Sequence, residues 1–317
     1  MIVTVLIAMA AGCASALMFA SVISGALISM LLLYLAPLPL MVAALGWGPL
    51  CATIGGITAA TVLGLVFGLP FCIAFAVAVA LPAWWLGHLA LLGRPVAAEG
   101  SAANDDTALE WYPVGRILFW IVIFATIAIT ALLLTMGTDG PTIKNTMRSA
   151  WAHLLESAGL ALNDRGLDAL VILAPAAATV VVMMALTLNL WLAAKITATS
   201  GRLHRPWPDL KSTALPPMTL AALCVAIAFC FSGGLLAIVA QIATVALMIG
   251  YVLTGFAALH TLTLALKNRA LWLGCVYLIV VAFIWAVFAI AVLGIADAVF
   301  GLRQRYLRGR PPPLPAS

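Results

Sequence analysis

Residues 1–93 of this 317-residue chain contain no Asp, Glu, Lys or Arg, and His88 is the one side chain among them that titrates near neutral pH. A water-soluble domain of that length stays dispersed through surface charge, and this stretch has none. Its low-energy solvent is lipid, where helices satisfy their own backbone groups and each central Asp, Lys or Arg costs about 2.5–3.5 kcal/mol. The whole chain agrees: 65% of it is hydrophobic and only 8% charged, with a mean hydropathy of +1.20. It reads as an all-α, polytopic transmembrane bundle.

The length allows roughly eight to ten spans of about 20 residues. Residues 1–310 read as a single integral-membrane domain, because none of the polar stretches (94–113, 139–168 and 200–216) is large enough for a core of its own. Residues 311–317 follow as a Pro-rich tail. The net charge of +5 does not point to nucleic acid, since the basic residues collect in loops and tail as the positive-inside rule predicts. The expected partners are the lipid bilayer and other membrane proteins or transporter subunits. Six cysteines, all inside apolar runs, form no CxxC or Cys/His pair and read as small buried hydrophobes. No metal site and no cofactor is expected. Ala14-Ser15-Ala16 resembles a signal-peptidase site, but no basic segment precedes it, so the first apolar run reads as a retained span.

Gly and Pro divide the uncharged block into four spans. The first covers residues 2–20, and the second runs from 23 to about 43 and is bent or ended by Pro37-Leu38-Pro39. The third follows Gly46-Trp47-Gly48-Pro49 and ends near Gly68, and the fourth runs from Pro70 to Leu92. Gly12, Ala16, Ala20 and Ser24 recur every fourth residue, as do Ala52, Gly56 and Ala60, a spacing that lets helix backbones approach closely. After a polar loop at 94–113 a fifth span covers 117–136. Residues 141–160 carry Ile143, Met147, Trp151, Leu154, Leu155 and Ala158 at helical spacing, with charges on the other faces, and read as an interfacial amphipathic helix. A sixth span, 167–194, is expected to be interrupted by Pro175. Residues 217–231 and 235–266 form a hairpin about Ser232-Gly233-Gly234.

Lys195, Arg202, Arg205 and Lys211 face only Asp209 in their loop, and four arginines follow from Arg303 to Arg310; both segments are expected in the cytoplasm, the C-terminus with them. Lys267 and Arg303 then lie on one side. That requires an even number of crossings through residues 271–301, which span about 45 Å as one helix. Two short helices breaking near 283–285 fit better than a single tilted one.

No HExxH, GxGD, P-loop or GxSxG occurs, and Asp105-Asp106 lacks a second aspartate-rich partner, so no enzyme is expected. Asp297 reads as a carboxylate near the interface, hydrated or paired with a tail arginine, or else as a buried partner for a substrate or helix. Asp168 reads as a helix N-terminal acid favoured by the macrodipole. His88, His260 and the Trp84-Trp85 pair read as interfacial anchors. Gln241, Thr244, Met248 and Tyr251 fall at i, i+3, i+7 and i+10, a polar stripe expected to face the bundle. It serves either as interhelical hydrogen bonding or, together with Asn189, as the lining of a ligand cavity.

The charge-free N-terminal block with Ala36-Pro37-Leu38-Pro39-Leu40, the Gly46-Trp47-Gly48-Pro49 re-entry, and the ending Leu293-Gly294-Ile295-Ala296-Asp297 followed by Arg303-Gln304-Arg305 together resemble the YybS-like bacterial inner-membrane family, whose function is unknown. That family is distantly similar to the substrate-binding S components of energy-coupling-factor transporters. The resemblance implies a membrane-embedded protein that binds or passes a small or lipophilic molecule. The alternative is a structural or assembly factor that contacts membrane proteins or lipids and transports nothing. With no carboxylate at mid-membrane, proton coupling is disfavoured.

Overall fold

A computed structural model describes residues 2–96, 108–160 and 162–308. The described part holds fourteen α-helices and one two-stranded hairpin. In the N-terminal block these are α1 (Ile2–Ala20), α2 (Leu27–Leu35), α3 (Pro37–Trp47), α4 (Pro49–Phe67), α5 (Leu69–Phe75) and α6 (Leu81–Leu91), with a π turn at Ala76–Ala80 joining the last two. They make four stretches long and apolar enough to cross a membrane, Ile2–Ser24, Ile28–Trp47, Pro49–Phe67 and Leu69–Leu91. The junctions flanking α4 share one device. Gly48 and Gly68 take φ of 96° and 92°, a region open mainly to glycine, and a proline follows within the first helical turn, where its missing N–H costs nothing.

The remaining helices are α7 (Val114–Leu134), α8 (Gly140–Ser157), α9 (Asp164–Thr199), α10 (Met218–Phe229), α11 (Gly234–Leu262), α12 (Arg269–Ala282), α13 (Ala286–Phe300) and α14 (Leu302–Arg308). Seven described helical stretches can cross a membrane, or eight if α13 and α14, bent by 64°, count as one. That number sits at the low edge of the expectation because α10 and α12, with 12 and 14 residues, are too short for a core about 30 Å thick.

Two expectations need correction. Residues 94–113 are not loop throughout. β1 (Gly93–Val96) pairs antiparallel with β2 (Ala108–Trp111), and Arg94 meets Glu110 at 2.6 Å across the ladder. Pro175 does not interrupt the sixth span either, since α9 runs unbroken through it for 36 residues. Asp105, Asp106 and residues 311–317 lie outside the described part.

The C-terminal region shows how Lys267 and Arg303 share a side. α12 starts where the Arg269 guanidinium donates to the His260 carbonyl at 3.1 Å, and Tyr277 stacks on Phe256 with ring centroids 5.3 Å apart. The chain breaks at residues 283–285 and returns as α13. At its end Arg303 Nη1 donates to the Lys211 carbonyl at 2.6 Å, the same oxygen that accepts from Thr261 at 3.4 Å. Both ends of the helical hairpin therefore meet the Leu262 end of α11.

At the opposite end of α11 lies α8, whose Gly140 abuts Gly234. Asp139 caps α8 by accepting from the Thr142 backbone N–H at 2.9 Å, and that bond holds its carboxyl below the usual range. Of the stripe along α8, Ile143 and Met147 are buried against Ile129, Leu133 and Ile242, while Leu154 is exposed.

Candidate functional site

Among the cavities formed by the described residues, two differ in the kind of their walls. The larger holds about 810 Å³, within the range usual for small-molecule pockets. Broken helices build one side of it. Pro37 marks the joint of α2 and α3, Pro70 opens α5, Pro82 opens α6, and Val77, Ala78 and Val79 come from the π turn between them. Each proline stands in the first turn of its helix and supplies no N–H there, and irregular backbone at membrane depth is tolerated where it is covered by protein or lines a cavity. π turns recur at functional sites. The opposite wall is continuous helix: Phe124, Ala128 and Leu132 of α7, and Ala178, Val182 and Leu186 of α9. Tyr34 and Thr135 are the only hydroxyl-bearing residues in this lining, and it carries no charged residue.

The smaller cavity, about 370 Å³, lies at the basic end, between the start of α7, the last turns of α9, the α9–α10 loop and α11. Its lining is apolar apart from Thr187, Arg205, Trp207 and Thr213. Arg205 is half-buried, and its guanidinium donates to the carbonyls of Ala90 at 3.1 Å and Tyr112 at 3.0 Å. With 3.6 residues per turn, the α9 residues facing the two cavities point in opposite directions, so the cavities occupy opposite sides of that helix.

The four residues expected to form a ligand site are not brought together, and none of them lines either cavity. Asn189 is fully buried and its side-chain amide donates to the Tyr34 carbonyl at 2.6 Å, tying α9 to α2; its Oδ1 has no partner among the described residues. Tyr251 is buried and its hydroxyl meets Thr219 at 2.9 Å, joining α11 to α10. Thr244 meets the Cys230 sulfur at 3.6 Å. Gln241 corrects the expected inward stripe, because it is exposed. The spacing 0, 3, 7, 10 drifts by about 80° around a helix. The buried residues of the helix middle, Ala246, Leu247, Gly250, Tyr251, Val252, Thr254, Gly255 and Ala258, centre roughly 110° away from Gln241.

Other singled-out residues found partners. Asp297 and Arg303 form a buried ion pair at 2.6 Å, each 7% exposed, and the Arg303 backbone N–H also donates to Asp297 at 2.9 Å. Asp168 is not simply an acid at a helix start; it and Asp164 both receive Arg148 of α8. His260 bonds the Tyr277 hydroxyl at 2.7 Å. His88 stacks on Trp84, and Trp85 meets Trp120 edge-on. The cavity prolines and Arg205 were visible in the sequence only as helix breakers and as a charge marking a side.

A family model described as "Predicted membrane protein (DUF2232)" matches residues 13–298. No curated protein and no solved structure matches the chain.

Proposed function

The chain belongs to the DUF2232 family of predicted membrane proteins, and we propose that its multi-pass bundle binds a small lipophilic molecule in the larger cavity, as a non-enzymatic binding protein. The observation that carries this reading is the apolar space of about 810 Å³ walled by three prolines and a π turn. A bundle selected only for packing has no need of breaks that converge on empty volume, since unfilled space forfeits dispersion contacts. The likeness to YybS-like proteins and to transporter S components supports the same reading, with energy and any transport step supplied by partner subunits. Clustering of Lys195, Arg202, Arg205, Lys211, Arg269 and Arg303 at one end supports a bacterial inner-membrane orientation with that end, and the C-terminus, in the cytoplasm. A cysteine at the exposed Pro206 would then resist impermeant maleimide in intact cells; labelling there would reverse the orientation.

The test of binding is purification in mild detergent with mass spectrometry of copurified small molecules, repeated with Ala78→Phe, which fills the cavity from the π turn. A lipophilic species present with the parent chain and lost with the variant is the expected result. A species indifferent to the filling, or none at all, would defeat the reading. The second reading, a non-transporting assembly factor, draws on a specific observation: Asn189 and Tyr251 are spent on helix–helix hydrogen bonds. It expects copurified membrane proteins that survive Ala78→Phe.

A further inference from the structure

The smaller cavity has a chemistry that the larger one lacks. A cation stands at an apolar space, and no carboxylate pairs with it among the described residues. The two bonds from Arg205, to the carbonyls of Ala90 and Tyr112, orient the guanidinium without neutralising it, since both acceptors are uncharged. Burial pushes the guanidinium pKa down from its usual value, the direction expected of a cation withdrawn from water without an anion to offset the loss.

Two further features mark the site as built. Thr213 lines the same cavity, and its hydroxyl oxygen is buried with no partner among the described residues. The wall that carries Thr213 is held from behind, because Arg303, locked by Asp297, donates to the Thr213 carbonyl at 3.0 Å. A second cation stands nearby, with Lys195 Nζ 5.2 Å from the ring centroid of Trp207, itself a lining residue.

We propose that this cavity binds a single-chain anionic amphiphile, its carboxylate or phosphate monoester at Arg205 and its apolar body between α7, α9 and α11. A guanidinium fork matches the geometry of either oxyanion. The volume of about 370 Å³ lies near the lower end of the usual pocket range, which suits one chain better than two. The proposal does not depend on the function assigned to the larger cavity, which lies on the other face of α9.

The test uses the full chain in phosphatidylcholine nanodiscs and a palmitic acid carrying a diazirine in its chain, with photolabelled peptides read by mass spectrometry. Label is expected on residues 184–194. Unlabelled palmitate or lysophosphatidic acid should displace it, and whichever acts at lower concentration tells whether the head is carboxylate or phosphate. Hexadecanol, with the chain but no charge, should be about tenfold weaker or worse, as should labelling of Arg205→Gln, because a charged hydrogen bond is lost in each case. Arg205→Lys should retain part of the labelling. Ala257→Phe, which fills the cavity and keeps the arginine, should abolish it, whereas Ala78→Phe in the other cavity should leave it unchanged. Equal competition by hexadecanol, or undiminished labelling of a folded Arg205→Gln or Ala257→Phe protein, would overturn the proposal. Should Arg205→Gln fail to fold, the alcohol competition and Ala257→Phe decide alone.

Discussion

The two ends of the chain meet the same difficulty in different ways. Lipid is as apolar as leucine, so helices in a membrane gain little from hydrophobic burial against each other and must be held by close packing and polar bonds. The N-terminal block uses backbone approach. A Cβ on Gly12 of α1 would overlap the Gly55 carbonyl of α4, and one on Gly55 would press on the Ala8 carbonyl one turn back. The C-terminal region repeats that geometry and adds charge. Gly255 of α11 abuts the Ile290 carbonyl, Gly294 of α13 abuts the Tyr251 carbonyl, and beyond that crossing the buried Asp297–Arg303 pair ties α13 to α14 and to the α9–α10 loop. The difference is one of specificity. Glycine contacts let two helices touch, while the ion pair fixes where one particular loop must sit.

Removing the charge gives the largest effect. Arg303→Met leaves Asp297 buried without its counter-ion and removes the guanidinium bonds to the Lys211 and Thr213 carbonyls, and we expect a loss of about 3–5 kcal/mol. Asp297→Leu combined with Arg303→Met should recover much of it, since exchanging both charges for apolar groups removes the desolvation cost as well. Unfolding titrations in a mixed-micelle denaturant measure both variants. A single variant as stable as the parent would show that the C-terminal region, like the N-terminal one, is held by glycine contacts.

A smaller effect tests the shared part of the design. Gly12→Val and Gly255→Val each place side-chain carbons where a neighbouring backbone stands, and overpacking of this kind costs typically about 1–3 kcal/mol. The ion pair should keep α13 in place when Gly255 is changed, so separation of α1 from α4 in Gly12→Val should exceed separation of α11 from α13 in Gly255→Val. Cysteine cross-linking across each pair reads this directly. Equal separation in both would erase the distinction between the two regions.

How much of this was legible in the sequence depends on whether a feature is local. The N-terminal spans were, because Gly48-Pro49 and Gly68 with Pro70 end a helix in any surroundings. The break at residues 283–285 followed from charge parity, since Lys267 and Arg303 had to share a side. The cavities were not legible, because they arise where distant elements fail to touch. Arg205 read only as a loop charge, since its acceptors lie 115 and 93 residues away in sequence. The β1–β2 pairing was hidden as well, since a charged, Pro-containing stretch such as Gly93–Val96 carries no strand pattern.

Gln241 is the sharpest case, and the smallest prediction rests on it. A helix apolar on every side carries no amphipathic signal to say which face is inside, so one amide cannot orient α11. Gln241 lies seven residues into a helix that begins at Gly234, about 10 Å from its end, near enough for its amide to reach toward the membrane surface. Gln241→Leu should therefore leave unfolding unchanged or slightly improved. Tyr251→Phe, on the buried face, removes the bond to Thr219 and should lose about 0.6 kcal/mol, the mean for polar contacts between membrane helices. Differential scanning of both variants in one detergent compares them. A larger loss at Gln241 than at Tyr251 would turn the helix around and restore the inward stripe, whereas the expected order means that α11 is oriented by its glycine crossing with α13, with the amide left outside because nothing in the bundle required it.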